Sequence, residues 1–198
     1  MHASIQAGGW QGYQGRSLNG LTAGVVGLGS IGQAIAKRAH AFGMDVIGSD
    51  VVQMPKDVLD AVHVRQETLE TVLNSSDIVM LACNLTDDNR HMLNADTLAG
   101  MKRGVWIINV ARGPLIQDSA LAAALASGQV GAAGLDVFEA EPLPMDSGLR
   151  KAERCVFSTH NGSNTREAVT RINHRTTEIL FDVLGIKAAT GFTPNRVA

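Results

Sequence analysis

A glycine-rich turn near the start of the chain constrains the fold more than any other feature. The segment GLGSIG at residues 27–32 begins at the end of an apolar run at 23–28 and leads into a stretch with helical periodicity. Gly27 lets the chain turn sharply out of a strand, Gly29 lets a ligand approach the backbone, and Gly32 lets a helix pack closely on that strand. The helix N-terminus then presents free N–H groups, which suit the phosphates of a dinucleotide.

Apolar runs alternate with helical segments along the rest of the chain. Further apolar runs lie at 44–48, 78–83, 105–110, 130–135 and 155–157, and helical patterns lie at 67–73, 118–126 and 165–184. Runs that are apolar on both faces and alternate with helices are typical of parallel strands covered on both sides. The sequence therefore predicts an α/β fold with a Rossmann-type, doubly wound parallel sheet in three α/β/α layers.

The sequence predicts the buried face of one helix and the two ends of another. The expected buried face of the helix after the turn comprises Ile31, Ile35, Ala39 and Phe42, with Arg38 at its edge. In the helix at 165–184, Asn164 and Glu167 are spaced as a capping box, and Gly185 marks the end. We expect a loose tail after it.

An acidic residue stands where the ribose of a dinucleotide would bind. Asp50 ends the second apolar run, at the distance from the glycine turn that such sites require. A carboxylate there accepts hydrogen bonds from the adenosine ribose hydroxyls and repels the 2′-phosphate of NADP. Val51 and Val52 supply no cation for that phosphate, so NAD is the predicted cofactor. The alternative is a structural turn followed by a loop-initiating aspartate.

The composition excludes several classes of function. The 198 residues carry 17 Lys and Arg against 19 Asp and Glu, a net charge of −2, which argues against nucleic-acid or anionic-membrane binding. No apolar run is long enough for a membrane span, and no secretory signal is visible. Cys83 and Cys155 lie in apolar runs and are expected to be buried thiols, and no metal site is predicted. A cytoplasmic protein is expected.

Three further segments follow predicted strands and complete a family pattern. They are NVARGP at 109–114, GLDVFEAEP at 134–142 and STHNG at 158–162. All stand at C-terminal strand ends, where parallel sheets bind ligands. Together with the glycine turn, the segment at 77–94 and the tail at 194–197, they resemble the D-isomer-specific 2-hydroxyacid dehydrogenases over nearly the whole chain.

The resemblance implies an NAD-dependent oxidoreductase that transfers hydride between nicotinamide and a small 2-hydroxy or 2-oxo acid. Arg112 matches the arginine that grips the substrate carboxylate, and His160 matches the general acid/base. Glu141 matches the partner of that imidazole, and Asp136 matches a residue at the nicotinamide end of the cofactor. The predicted cofactor-binding residues are Gly27, Gly29, Ser30, Ile31, Gly32, Asp50, Asn84, Thr86, Val110, Ala111, Arg112, Asp136, His160 and Gly162.

Each of these side chains also has an ordinary interpretation as a loop residue when it is taken singly. Their order at three strand ends is what favours catalysis. The histidines outside the three segments lack such a context and are expected at the surface; they are His2, His40, His63, His91 and His174.

The sequence departs from the family pattern at five positions without losing a reacting group. Asn84 stands where proline is usual, and Ala82 stands where histidine is common; both are expected to alter the cofactor-side loop. Thr159 replaces a common proline. Asn161 and Asn164 replace small or apolar residues and are expected to alter the pocket.

The resemblance also implies a domain organisation. An irregular segment at 1–20 leads into an NAD-binding Rossmann domain at 21–163, and 164–198 forms a helix and tail belonging to the substrate domain. Family enzymes carry a further lobe that closes over the substrate and excludes water, so we expect turnover by this shorter chain to be weak. Two alternatives stay open: a non-catalytic NAD(H) sensor, like the corepressors that resemble this family, and a structural protein. The expected partners are a small acid substrate and, as one possible assembly, a second copy of the chain.

Overall fold

Seven parallel strands form one sheet in the computed structural model, which describes residues 2–12 and 14–186. The strands are β1 (Thr22–Val26), β2 (Asp45–Ser49), β3 (Arg65–Gln66), β4 (Ile78–Leu81), β5 (Val105–Asn109), β6 (Val130–Leu135) and β7 (Cys155–Phe157). Their order is β3-β2-β1-β4-β5-β6-β7, and every neighbouring pair is parallel. The chain winds outward from β1, returns to β4 and winds outward again, which confirms the predicted doubly wound fold.

Helices cover both faces of this sheet. They are α1 (His2–Gln6), α2 (Ser30–Ala41), α3 (Lys56–Val62), α4 (Leu69–Ser75), α5 (Ala95–Gly100), α6 (Asp118–Ser127) and α7 (Arg166–Leu184), with 3-10 helices at Gly113–Leu115 and Gly148–Lys151. One core cluster joins the sheet to α4, α5 and α6, and the other joins it to α2 and α3. The three predicted layers are therefore present. The short α1 lies in the segment that was expected to be irregular.

The prediction for the buried face of α2 was wrong at both ends. Ile31 and Phe42 are 59% and 65% exposed. Of the predicted face, Ala39 is buried and Ile35 is partly buried, and the other buried residues are the small Gly32 and Ala36. The reason is the closeness of α2 to β1, since a Cβ on Gly32 would lie 1.8 Å from the carbonyl oxygen of Gly27. A helix that packs this closely has no room for large side chains at its interface.

The ends of several elements differ from the predicted ones by one or two residues. β6 and β7 have the predicted bounds, whereas β1 ends at Val26 although Leu28 is still buried in the turn. α4 begins at Leu69 because the hydroxyl of Thr68 accepts a hydrogen bond from the amide of Thr71. Burial therefore continues beyond the residues that form regular secondary structure.

The predicted cap of the last helix was wrong by one residue. The hydroxyl of Thr165 accepts a hydrogen bond from the amide of Ala168 at 3.1 Å, so Thr165 is the N-cap of α7. Asn164 instead donates from Nδ2 to Oδ1 of Asn161. Gly185 ends the helix in the left-handed conformation, as predicted.

The helix α7 contributes no residue to the core. None of its 19 residues is buried, and its exposed apolar side chains include Ile172, Ile179, Leu180 and Val183. The predicted loose tail and the family-like segment at 194–197 lie outside the described residues. In the part of the chain that the structure describes, no helix has both the length and the apolar character to cross a membrane.

Candidate active site

A cleft of about 1010 Å³ lies at the carboxyl ends of β1, β2 and β4. The predicted cofactor residues that line it are Gly27, Gly29, Ser30, Ile31, Asp50, Asn84 and Thr86. They come from the glycine turn, the end of β2 and the loop after β4. The structure therefore brings half of the predicted cofactor residues together, at the point where the strand order reverses.

The glycine turn presents backbone donors to this cleft. Gly27 has φ +93°, and a Cβ on it would lie 2.6 Å from the amide nitrogen of Cys83. The N-cap residue of α2, Gly29, has no side-chain cap, so no side chain competes for the first-turn N–H groups. A Cβ on Gly29 would meet nothing within 4 Å. Free amides at a helix N-terminus under open space form a donor set that fits a pyrophosphate.

Asp50 is held in a fixed orientation at the end of β2. Its Oδ2 accepts a hydrogen bond from the amide of Leu28 at 2.7 Å, and its Oδ1 accepts one from the amide of Val52 at 3.1 Å. Two backbone donors therefore fix the carboxylate that lines the cleft beside the turn. Its position and charge would fit the ribose hydroxyls of NAD, and this role of Asp50 stays a prediction.

Asn89 shapes the cleft and was missed at the sequence level. Its Oδ1 accepts a hydrogen bond from the amide of Thr86, and its Nδ2 donates one to the carbonyl of Asn84, each at 2.8 Å. One side chain thus orders the loop in which Asn84 replaces the usual proline. Other lining residues outside the predicted cofactor set include Ser49, Glu67, Thr68, Leu69, Cys83, Asp88 and Met92. The three-residue spacing from Thr86 to Asn89 was the available signal for this local loop contact.

His160 and Glu141 form a hydrogen-bonded pair after β7 and β6. Nδ1 of His160 lies 2.8 Å from Oε2 of Glu141, and Oε1 of Glu141 accepts a hydrogen bond from the amide of Phe138 at 3.1 Å. The hydrogen bond from His160 holds the pKa of Glu141 below its ordinary value. An ionised carboxylate only accepts, so Nδ1 carries the proton and Nε2 is left for a substrate.

Asp136 holds the backbone that carries the histidine. His160 has φ 55°, and its amide donates to the carbonyl oxygen of Asp136 at 2.7 Å. The Asp136 carboxylate accepts from the amides of Asn161 and Gly162 at 2.8 and 2.9 Å. Burial raises the pKa of Asp136, but these hydrogen bonds, one from the Ser158 side chain and the charge of His160 outweigh burial and leave that pKa below its ordinary value. The predicted contact of Asp136 with the nicotinamide end stays a prediction.

Arg112 lies directly after β5, at the start of the 3-10 helix Gly113–Leu115. Its guanidinium donates to the carbonyl of Ala111 at 2.6 Å, and Nδ2 of Asn109 donates to the Arg112 carbonyl at 2.9 Å. A Cβ on Gly113 would lie 1.7 Å from the carbonyl oxygen of Phe138. The loop of Arg112 therefore packs directly against the loop that carries Glu141.

The remaining predicted cofactor residues do not line the cleft. They are Gly32, Val110, Ala111, Arg112, Asp136, His160 and Gly162. Gly32 and Ala111 are buried beneath the surface, and the others belong to the ends of β5, β6 and β7. Because these strands are neighbours in the sheet, Arg112, Glu141 and His160 share one edge, hereafter the catalytic edge.

Three of the histidines expected at the surface make specific contacts. Nε2 of His91 lies 2.5 Å from Oε1 of Glu139, and with its side chain 33% exposed His91 is only partly at the surface. The partner is 48 residues away in the chain, which no local pattern could reveal. The rings of His40 and His63 stack with centroids 3.9 Å apart.

The two thiols are only partly buried. Burial raises the pKa of Cys83 above its ordinary value and raises that of Cys155 to about 11. Both thiols are therefore protonated near neutral pH. Among the described residues, no group of three His, Cys, Asp or Glu side chains could hold a metal ion.

Comparison with known proteins agrees with this geometry. Residues 1–162 match the family model for the D-isomer specific 2-hydroxyacid dehydrogenase, NAD binding domain. The chain is 41% identical over 188 residues to a hydroxypyruvate reductase of Thermotoga maritima, covering 92% of this chain and 60% of that protein. It is 40% identical over 169 residues to glyoxylate/hydroxypyruvate reductase B of Escherichia coli O9:H4, covering 82% of this chain and 52% of that protein.

Solved structures show the same likeness. A glyoxylate reductase from Paecilomyes thermophila superposes with a TM-score of 0.84 at 36% identity, covering 92% of this chain and 55% of that chain. A D-lactate dehydrogenase from Aquifex aeolicus, in complex with NAD and lactic acid, gives a TM-score of 0.83 at 30% identity, covering 93% and 60%. The chain thus spans little more than half the length of these relatives. It belongs to the D-isomer specific 2-hydroxyacid dehydrogenase family, whose NAD-binding domain it contains.

Proposed function

We propose that this chain binds NAD(H) and supplies the groups for hydride transfer between nicotinamide and a small 2-hydroxy or 2-oxo acid. The observation that carries the proposal is the contact of 2.8 Å between His160 and Glu141, at the same end of the sheet as the glycine-turn cleft. The relatives named for hydroxypyruvate and glyoxylate support these two acids as the first substrates to test.

Three parts of the cleft would hold the cofactor. The first-turn amides of α2 would bind its pyrophosphate, Asp50 would bind its adenosine ribose, and the loop ordered by Asn89 would flank its nicotinamide side. When bound, the nicotinamide accepts or donates a hydride at the substrate carbon that carries the hydroxyl or oxo group.

His160 is proposed to move the proton that accompanies the hydride. In oxidation its unprotonated Nε2 takes the hydroxyl proton, and in reduction the same atom returns a proton to the oxo oxygen. Glu141 accepts the Nδ1 proton, which orients the ring and stabilises the imidazolium that forms. In both directions the neutral form of the imidazole therefore carries its proton on Nδ1, and the transferred proton moves on and off Nε2.

Arg112 is proposed to bind the substrate carboxylate. Its planar guanidinium can donate two parallel hydrogen bonds to a carboxylate, which fixes the orientation of the neighbouring carbon. The packing of Gly113 against Phe138 sets the spacing between this arginine and the acid–base pair. Orientation of this kind lowers the barrier by converting a collision into a reaction within one complex.

Several expectations remain predictions. One is the division into a cofactor-binding unit at 21–163 and a substrate-domain part from 164 onward. The others are a homodimer, the absence of nucleic-acid and membrane partners, and a cytoplasmic location.

A non-catalytic NAD(H) sensor is the second candidate function.

The experiment is a titration with NADH followed by an assay of NADH oxidation with hydroxypyruvate and glyoxylate. We expect NADH to bind, and His160→Ala to lower kcat about 10²–10⁴-fold with NADH affinity unchanged, because general acid–base catalysis contributes that much. His174→Ala on α7 is the matched control and should keep the wild-type rate.

The outcomes separate the two candidates. Binding of NADH with turnover that survives His160→Ala would contradict the role of this histidine. Binding of NADH without any turnover would favour the sensor. A chain that does not bind NADH would overturn both candidates.

A further inference from the structure

Three ionisable side chains form a cluster behind the catalytic edge. Nε2 of His91 contacts Oε1 of Glu139 at 2.5 Å, and Oε2 of Glu139 accepts a hydrogen bond from the amide of Asp118 at 2.6 Å. The amide of Glu139 in turn donates to Oδ2 of Asp118 at 3.3 Å. The side chains of His91 and Glu139 are only 33% and 26% exposed. Both oxygens of Glu139 are thus engaged at the start of α6.

His91 also holds the loop that carries Arg112. Its amide donates to the carbonyl of Pro114 at 2.8 Å, two residues after the arginine. The next residues continue this pairing, since the amide of Leu93 donates to the carbonyl of Leu115 at 3.1 Å. The backbone of His91 has φ 54°, a left-handed conformation that few residues adopt without support. Its position is therefore set by contacts on both sides.

Glu139 and Glu141 lie two residues apart and make contacts in two different directions. Glu139 contacts His91 and Asp118, whereas Glu141 contacts His160 and the amide of Phe138. The loop between them is fixed at one end by the cluster and at the other by the catalytic pair. A shift of Glu139 would therefore move Glu141 as well.

We propose that His91 is a positioning residue, which acts through Glu139 to set the place of Glu141 against His160 and of both against Arg112. Its backbone binds the arginine loop and its side chain binds the glutamate loop, so one residue spans the two. The catalytic consequence rests on the proposed function. The structural consequence, the placement of Glu141, does not.

The partial burial of the cluster favours one fixed arrangement of its hydrogen bonds over an ion pair exposed to solvent. Burial raises the pKa of Asp118 to about 6, with the charge of Glu139 acting in the same direction. The hydrogen bond from the Glu139 amide and the charge of His91 act in the opposite direction. Half-buried groups hold one arrangement better than exposed groups, because water competes less for their hydrogen bonds.

Two substitutions of His91 separate its side-chain contact from its backbone conformation. His91→Asn keeps a residue that tolerates positive φ, but its amide stops near the Nδ1 position and falls short of Glu139. His91→Gln places an amide nitrogen near the Nε2 position, so it can still reach Glu139. Asp60→Asn is the control, because it removes a carboxylate from an exposed ion pair with Lys56 on α3.

The first measurement is a carboxyl ¹³C NMR titration of Glu141, assigned with Glu141→Gln and performed without cofactor. The wild-type Glu141 should titrate below its ordinary pKa, because His160 donates to it. In His91→Asn we expect the midpoint to rise by about half a pH unit or more, since displacement weakens that hydrogen bond. His91→Gln and Asp60→Asn should keep the wild-type midpoint.

The second measurement is turnover of hydroxypyruvate with NADH. We expect His91→Asn to lower kcat about tenfold or more at unchanged NADH affinity, because small misplacements of catalytic groups are costly. His91→Gln should restore most of the rate. Unchanged NADH affinity also shows that the variant is folded.

An unchanged Glu141 titration in His91→Asn would overturn the proposal. A wild-type chain that fails to bind NADH would instead overturn the proposed function, and the carboxyl titration would still decide the role of His91. A loss of rate that His91→Gln fails to restore would also contradict a role through Glu139.

Discussion

The cofactor cleft and the catalytic edge lie at the same end of one sheet but are built from different parts of the chain. The cleft depends on backbone: the tight turn at 27–32, the free amides of α2, and a helix packed so closely that Gly32 has no space for a Cβ. The catalytic edge depends on side chains, Arg112, Glu141 and His160, which extend from strand ends and remain exposed.

This difference determines what each region tolerates. In the cleft, function needs a particular backbone path, so an added methyl group can damage both the fold and binding. At the catalytic edge, function needs particular chemical groups on a backbone that other residues hold in place, so substitutions there should spare the fold. The following predictions test this contrast.

The largest expected effect is that of Gly32→Ala. The new Cβ would lie 1.8 Å from the carbonyl oxygen of Gly27, a backbone atom that cannot move without shifting α2 away from β1. We expect a loss of about 3 kcal/mol or more in the free energy of unfolding, at the upper end of the cost of overpacking. Urea denaturation measures this loss, and NADH binding should be lost with it.

Gly29→Ala is the matched control in the same turn. A Cβ there would meet nothing within 4 Å, and the backbone of Gly29 has φ −68°, so the free energy of unfolding should change by less than about 1 kcal/mol. NADH affinity should still fall, because the methyl group enters the space above the α2 amides. Equal loss of stability in Gly32→Ala and Gly29→Ala would contradict the idea that Gly32 supports the fold whereas Gly29 keeps the α2 amides accessible.

The contrast also explains which features could be predicted from the sequence. The glycine turn and the alternation of apolar runs with helices predicted the fold and the cofactor cleft, and the family resemblance implied the pair of His160 with Glu141. The turn and each strand-end segment are local, because each is encoded within a few consecutive residues next to one strand. His160 and Glu141 are 19 residues apart, and only the resemblance paired them. The strands β6 and β7 even have the predicted bounds.

The features that the sequence did not reveal depend on contacts between distant segments or on packing distance. Hydrophobic periodicity placed Ile31 and Phe42 in the core, whereas the close approach of α2 to β1 selects alanine and glycine. His91 lacked a motif and was expected at the surface, but its partner Glu139 is brought to it by the sheet. Periodicity reports which side of an element is apolar and does not report how closely the element packs.

The next largest expected effect concerns the negative charge of Asp50 in the cleft. The carboxylate of Asp50 is fixed by the amides of Leu28 and Val52 beside the glycine turn. We expect NADH to bind at least about tenfold more tightly than NADPH, since two like charges close together in a partly enclosed site repel by at least 1.4 kcal/mol. Asp50→Asn keeps an acceptor for the Leu28 amide and removes the charge, so it should lower this ratio.

Fluorescence titrations with both nucleotides measure the ratio. Asp88→Asn is the control, because Asp88 also lines the cleft but belongs to the loop after β4. It should leave the preference for NADH unchanged. Equal affinity of the wild-type chain for the two nucleotides would contradict the role of Asp50.

The smallest expected effect is at Asp118, which lies in the cluster behind the catalytic edge. Its pKa is raised to about 6, mainly by burial, so the folded chain binds a proton at this carboxyl more tightly than the unfolded chain does. This contribution to stability is fully present below the ordinary pKa of 3.8 and is lost as the pH rises from there through about 6. The carboxyls of Asp77 and Asp136 have lowered pKa values and act in the opposite direction.

Asp118→Asn isolates this contribution, because the variant keeps the Asp77 and Asp136 carboxyls and an acceptor for the Glu139 amide. At pH 3.5 the variant and the wild type should have similar free energies of unfolding, since Asp118 is then largely protonated in both the folded and the unfolded chain. At pH 7.5 the variant should be more stable by about 1 kcal/mol, a value reduced to allow for partial exposure. Urea denaturation at the two pH values measures the difference. An equal gain in Asp96→Asn, at the exposed first turn of α5, would show that helix position rather than burial beside Glu139 is responsible.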